Sequence, residues 1–196
     1  MSDSVSILLM SGSVRGGSYT RSLTQSIAAC LEDAGQMAIH WCLHDKPLPI
    51  ADPSFLKPSG SFQADIVQEL VETAARCDGL VLASPIYHNS FSGVLKNALD
   101  HLSSRQLAFK ACGLASHGGH RTSQAVDQLR LIARSVQSVA IPTQVCTDRD
   151  DFEIRADGIP ALVAQDILQR LVRFCDEMVR FSLMLRTMRE KQVREI

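Results

Sequence analysis

Long apolar runs, paired cysteines and an excess of either charge are all missing from this sequence. No stretch approaches the ~18 consecutive apolar residues that a membrane span needs. The opening Met1-Ser2-Asp3-Ser4 carries no basic residue, and the first apolar run, Val5 to Met10, is short and interrupted by Ser6. The expectation is a chain without a signal peptide or membrane anchor, at work in the cytoplasm. Lys and Arg number 20 against 21 Asp and Glu, a formal net charge of −1. A nucleic-acid binder normally shows a basic excess, so no nucleic-acid partner is expected. The six cysteines are scattered and no two form CxxC. In a reducing compartment such residues read as small buried apolar side chains, not as disulfides or a zinc site.

Two nucleotide signatures are also absent. There is no GxxxxGK[ST] and no GxGxxG, which argues against a Walker-type site and a dinucleotide fingerprint. What is present is ordinary for a globular protein: 196 residues, 45% of them hydrophobic, enough for one domain with a sizeable core across residues 1–196.

Strand and helix signals alternate five times. Val5–Met10 reads as a buried parallel strand, and Met37–Leu43, Gly79–Ser84 and Ala108–Ser116 as further strands. Val139–Ile141 and Gln144–Cys146 flank Pro142 in a fifth strand or a pair of short ones. Between them, Tyr19–Ala34, Ala64–Cys77, Ser92–Ser103 and Thr122–Val136 repeat apolar residues at helical spacing, with Gly35 ending the first. His44–Ser61 holds four prolines and reads as a long loop. Pro160 to about Arg189 reads as a long last helix, with Pro160 in its first turn. The pattern predicts an α/β three-layer sandwich, a five-stranded parallel sheet in the order 2-1-3-4-5. In such sheets ligands bind beyond the carboxyl ends of the strands, where the order reverses.

That rule selects three loops. Ser11–Thr20 joins a strand to a helix start, where unpaired N–H groups and the helix dipole attract anions. Its glycines, the hydroxyls of Ser13, Ser18 and Thr20, and Arg15 suit a phosphate, although Ser18 or Thr20 could merely cap the helix. No cysteine stands there as a nucleophile, so the phosphate is expected to be held, not hydrolysed. Pro85, Ile86, Tyr87 and Asn89 supply apolar and edge-reading groups for a flat heteroaromatic ring. His88 reads as an exposed loop histidine beside the ligand, since no partner acid is nearby. Ser116-His117-Gly118-Gly119 offers donors and close backbone approach at a second ring edge.

Gly12-Ser13-Val14-Arg15 with Ser18, the run Ser84-Pro85-Ile86-Tyr87-His88-Asn89-Ser90 into Gly93-Val94-Leu95-Lys96-Asn97-Ala98-Leu99-Asp100, and Gly118-Gly119 closely resemble the NAD(P)H-dependent FMN reductase family. Leu48-Pro49 also resembles that family's loop, and the likeness spans about residues 5–146. The resemblance implies a flavodoxin-like fold, FMN, and electrons from NADH or NADPH. By position, Ser13, Arg15, Ser18, Tyr19 and Thr20 would hold the FMN phosphate. Pro85, Ile86, Tyr87, His88, Asn89 and Ser90 would line the isoalloxazine, with Ser116, His117 and Gly118 at its far edge. Thr20 stands where many members carry Asn. The acceptor could be a quinone, an azo compound, a metal oxyanion or free flavin.

The hard chemistry would be the flavin's, so no catalytic acid or base is assigned. Three alternatives stay open: a flavodoxin-type electron carrier, an FMN-dependent oxidoreductase specialised for one metabolite, and a non-catalytic module on the same fold. Arg15 and Arg121 are candidates for a 2′-phosphate, but do not decide between NADH and NADPH. The apolar residues of the last helix exceed one buried stripe, which predicts a homodimer or homotetramer.

Overall fold

The computed structural model describes residues 4–52 and 64–194. Five parallel strands form the central sheet: β1 (Ser6–Ser11), β2 (Met37–Cys42), β3 (Gly79–Pro85), β4 (Ala111–His117) and β5 (Val139–Thr147). Their order is β2-β1-β3-β4-β5, the flavodoxin-like arrangement that the sequence pattern predicts.

The inner strands β1, β3 and β4 are buried on both sides, and alternate residues feed two cores. Ile7, Leu9, Val81, Ala83, Ala111 and Ala115 face α1 (Tyr19–Asp33) and α6 (Gln165–Arg194). Leu8, Met10, Leu80, Leu82, Cys112 and Leu114 face α2 (Asp65–Arg76), α3 (Gly93–Asp100) and α5 (Gln124–Ser135). At Gly113 a Cβ would meet Phe174 Cζ at 2.4 Å, so the missing side chain lets the Phe174 ring lie on the sheet. Gly35 takes φ +74° just after α1, while the Gln36 N–H closes on the Leu31 carbonyl at 2.9 Å, the stop expected there.

The structure departs from the sequence reading in several places. Ser92 caps α3 instead of opening it, and a separate short helix α4 (Ser104–Leu107) takes up the segment that follows. β4 begins at Ala111, three residues later than expected. β5 runs unbroken through Pro142, with a register shift opposite Cys112/Leu114. A proline is tolerated there because β5 is an edge strand and needs no outward N–H. Pro160 does not start the last helix. It opens β7 (Pro160–Leu162), which pairs antiparallel with β6 (Phe152–Ile154), and α6 starts at Gln165. Of the expected loop His44–Ser61, the part after residue 52 lies outside the described residues.

Helix α6 is 30 residues long, about 45 Å at 1.5 Å per residue. It buries Ile167, Leu171, Phe174, Cys175, Met178 and Leu185 in its own domain, and leaves Val172, Met184 and Met188 exposed. Part of the apolar surplus read from its sequence is thus absorbed internally, and part stays half-buried or exposed. At its far end Arg186 and Arg189 both reach Asp78, which also accepts from the Ser6 N–H, fastening α6 to the amino ends of β1 and β3. No helix among the described residues is long and apolar enough to cross a membrane.

Candidate functional site

β1 and β3 lie side by side, but α1 leaves to one face and α3 to the other. The cleft between them is the switch point of the sheet, and direct bonds bring its loops together. The Gly12 N–H donates to Ala83 O at 2.8 Å, and Ser92 Oγ donates to Gly12 O at 2.6 Å. The Ser92 N–H reaches Ser84 Oγ at 2.9 Å. The Ile86 N–H donates to His117 O, and the Gly118 N–H to Thr147 O, both at 2.9 Å. At Gly118 a Cβ would fall 2.8 Å from Ile86 Cβ, so only glycine lets these two loops close on each other.

In the first loop Ser18 is the N-cap of α1, its Oγ accepting from the Arg21 N–H at 3.0 Å. Ser13 is buried and its Oγ accepts from the Arg15 N–H at 3.3 Å. Thr20 is buried in the first turn, while Arg15 is exposed and its guanidinium has no hydrogen-bond partner among the described residues. His44, just past β2, donates from Nδ1 to the Val14 carbonyl at 2.6 Å and so pins this loop. Among the described residues no acceptor is placed against the backbone N–H groups of Gly16, Gly17, Ser18, Tyr19 or Thr20. This row of unpaired donors at a helix start, with a free guanidinium beside it, fits a phosphate dianion such as that of FMN.

The second loop turns tightly. Tyr87 and Ser90 exchange N–H···O bonds of 2.9 and 3.0 Å, and His88 and Asn89 between them have φ +49° and +62°. This is a two-residue turn with both central residues left-handed, a type I′ geometry. It sets Tyr87, His88 and Asn89 in solvent and leaves Ile86 and Ser90 half-buried, whereas Pro85 is buried as the last residue of β3.

In the third loop Ser116 is buried and His117 half-buried. The His117 ring stacks on Tyr19 at 4.5 Å, and both rings meet Phe152 edge-on at 5.6 and 5.2 Å. The Thr147 hydroxyl donates to Ser116 O at 3.1 Å, so it accepts from His117 Nδ1 at 3.2 Å. Burial pushes the His117 pKa down against the pull of Asp148 and Asp151, which favours the neutral ring. Arg121 is tied to Asp151 and Asp166, so of the two arginines considered for a 2′-phosphate only Arg15 is without such partners among the described residues.

The phosphate-loop residues and the two ring loops thus meet at one end of the sheet, and Tyr19 joins the first to the third. Sequence reasoning missed His44 and the β6–β7 hairpin. Ile159 in the hairpin's tip walls a hollow of about 230 Å³ beside Gly16, Gly17 and Ser18. A roomier hollow of about 680 Å³ lies along α1 and β2 and is lined by none of the predicted site residues. No cluster of ligating side chains that could hold a metal ion occurs among the described residues.

The family model for NADPH-dependent FMN reductase matches residues 5–151. An FMN-dependent NADPH-azoreductase of Staphylococcus saprophyticus is 34% identical over 175 residues, covering 89% of this chain and 93% of its own. An apo structure of the NADH:FMN oxidoreductase EMOB superposes with a TM-score of 0.68 at 26% identity, over 92% of this chain and 89% of its own. The flavoenzyme NAD(P)H:(acceptor) oxidoreductase FerB of Paracoccus denitrificans shares the fold, with a TM-score of 0.73 at 19% identity, over 92% and 98% of the two chains. Matched over three quarters of its length, the chain belongs to the NADPH-dependent FMN reductase family and is an NAD(P)H-dependent, FMN-using oxidoreductase.

Proposed function

We propose that this chain binds FMN across the three converging loops and passes electrons from NAD(P)H to a small acceptor, an azo compound being the first to test. The observation that carries the proposal is the row of N–H groups at Gly16–Thr20 with no partner among the described residues, which meets the 85–90 and 116–118 loops at the switch point. When bound, FMN supplies the two-electron chemistry.

The protein's part is to hold and orient. The N–H groups of Gly16–Thr20, the N-terminal end of α1 and Arg15 would neutralise the phosphate. Ile86, Tyr87, His88, Asn89 and Ser90 would line one side of the ring, with Ser116, His117 and Gly118 at its far edge. Buried Ser13, Ser18, Thr20 and Pro85 would act through hydroxyl or backbone atoms, because little of each side chain is exposed. The Tyr19 ring is engaged with His117, so its contribution to the phosphate would come from its backbone N–H. The neutral His117 ring adds no charge to the site.

The chain works in the cytoplasm, supported by six free thiols, half of them buried. It assembles as a homodimer or homotetramer, supported by exposed apolar side chains at Val172, Met184 and Met188 on α6 and Leu131 on α5. Light scattering over a dilution series tests the assembly, and a monomer with full flavin occupancy and activity rejects it.

The decisive experiment for function is an anaerobic spectrum of the FMN-loaded protein with NADPH, followed by an azo dye. Bleaching of the flavin and then of the dye is expected. A flavin that NADPH leaves oxidised, but that dithionite reduces, would favour an electron carrier.

A further inference from the structure

The segment Tyr87–Ser90 holds two consecutive non-glycine residues, His88 and Asn89, in the left-handed region. Each side chain there crowds its own backbone, and two in succession are harder to hold than one. Something must fix this turn, and the contact comes from the far side of the sequence. Gln128, in the second turn of α5, reaches it with both ends of its amide. Ser90 Oγ donates to Gln128 Oε1 at 2.6 Å, and Gln128 Nε2 donates to Asn89 O at 2.9 Å. The orientation of the amide is settled by chemistry. A carbonyl only accepts, so the nitrogen faces Asn89 and the oxygen is left for the Ser90 hydroxyl.

We infer that Gln128 is a positioning residue for the flavin ring: its two-ended grip holds the His88–Asn89 turn in the shape that presents the ring-lining groups. The inference rests on the proposed FMN site and deepens it. Without the grip, the turn is held by the Tyr87–Ser90 pair alone and relaxes toward right-handed backbone geometry, which swings Asn89 and the adjoining carbonyls away. Gln128 itself is outside the loops assigned to FMN, and its contacts are to the turn. Its effect therefore falls on the ring end of the ligand and spares the phosphate end.

That asymmetry gives the test. Flavin-free wild-type protein, Gln128→Met, Gln128→Glu and Arg15→Ala are titrated with FMN and with riboflavin, following flavin fluorescence. Met keeps the length of the side chain and removes both bonds. Glu keeps the acceptor for Ser90 but sets a carboxylate oxygen against the Asn89 carbonyl. Both are good helix formers, so a role confined to α5 would leave either one neutral. The expected result is that Q128M weakens FMN and riboflavin by the same factor, about five- to thirtyfold for one to two hydrogen bonds. Q128E is expected to lose at least as much. Arg15→Ala, by contrast, lowers FMN affinity and leaves riboflavin nearly unchanged. Flavin-free Q128M should melt within about 2 °C of wild type, as a half-exposed surface position would.

Wild-type affinity for both flavins in Q128M and Q128E overturns the inference, as does a loss confined to FMN. A flavin-free Q128M that melts far below wild type assigns Gln128 to folding and overturns it too. If the wild-type protein binds neither flavin, the FMN reading itself falls, and the wild-type titration shows that separately.

Discussion

The Tyr19 and His117 rings are stacked, their centroids 4.5 Å apart and their planes 11° from parallel, and join the first residue of α1 to the last residue of β4. Phe152, the first residue of β6, closes the group edge-on. Three segments far apart in sequence thus share one small aromatic cluster next to the candidate phosphate loop. Aromatic pairs in such offset or edge arrangements contribute about 0.5–1.5 kcal/mol beyond the area they bury.

The cluster makes stability sensitive to acid. Burial lowers the folded-state pKa of His117 below the unfolded value of about 6.5, so the unfolded chain takes up a proton first as pH falls. The stability linked to His117 is present above about pH 6.5 and is lost as pH drops toward the folded pKa. His117→Phe keeps an aromatic ring against Tyr19 and removes the titration. Urea unfolding of both proteins from pH 5 to 7.5 should show a flatter acid limb in the variant. Parallel curves would mean that His117 does not contribute to the acid loss.

Ser18 and Arg15 should separate cleanly. The Ser18 hydroxyl accepts from the Arg21 N–H, so Ser18→Ala costs about 1 kcal/mol of stability in the flavin-free protein. Arg15 is exposed and makes no such contact, so Arg15→Ala should leave the urea midpoint unchanged. In calorimetry Arg15→Ala should weaken FMN by about 1.5–3 kcal/mol, the worth of a charge-assisted bond, and riboflavin hardly at all. Equal losses for the two flavins would remove Arg15 from the phosphate site.

The sheet was legible because its inner strands β1, β3 and β4 are short apolar runs closed by Gly, Pro or Ser, and because buried parallel strands read that way on both faces. The β6–β7 hairpin was not, since three-residue strands are too short for periodicity to register. The one available signal was Asp157-Gly158, a turn pair between Phe152-Glu153-Ile154 and Pro160-Ala161-Leu162, and Gly158 does take φ +79°. Pro160 misled because proline suits the first position of a strand as well as the first turn of a helix. The site loops could be located from the switch-point rule, but their supports could not. Gln128 stands 38 residues from Ser90, and His44 stands 30 from Val14. Nothing local marks either one; only the packed fold brings them into reach.

The cysteines predict a loss of stability in alkali. Burial raises the Cys112 thiol to about 12, and it also raises Cys77, Cys146 and Cys175. A raised folded-state pKa means that the associated stability is intact below the unfolded thiol value, about 8.5, and is lost as pH climbs toward the folded value. Lys110 works in the opposite sense, since burial lowers its ammonium to about 8, but it is one group against four thiols. Stability should therefore fall between about pH 8.5 and 12. Cys112→Ala should lose some stability at pH 7 through the cavity it leaves, yet show a shallower decline in alkali. Replacing all six cysteines should leave NADPH oxidation detectable. If Cys146→Ser alone abolished it in a folded protein, a redox thiol would have to be added to the mechanism.

Arg121 and Asp151 form a pair that is costly to break. The Asp151 side chain is 1% exposed and sits where the turn after β5, the third site loop and the start of α6 meet. Its carboxylate takes the Nε and Nη2 hydrogens of Arg121 and also the Asp148 N–H at 2.8 Å. Arg121 meanwhile bonds Asp166 at 2.5 Å and is itself left-handed, φ +51°, next to a left-handed His120. The ion pair thus holds a strained corner directly after Gly118-Gly119. Arg121→Ala strands a buried carboxylate and should cost about 3–5 kcal/mol, softened by the remaining Asp148 bond and by the partial exposure of Arg121. Arg121→Lys keeps the charge but not the two-pronged fit, and should fall between the two. Asp151→Asn removes the charge that needs a partner, so adding it to Arg121→Ala should recover part of the loss. Urea unfolding of wild type, both single variants and the double variant measures the coupling. A coupling energy near zero would show that the corner holds its shape without the pair, and that the third loop is held by its other contacts, the Ile86–His117 and Gly118–Thr147 backbone bonds and the Thr147 and Tyr19 contacts of Ser116 and His117.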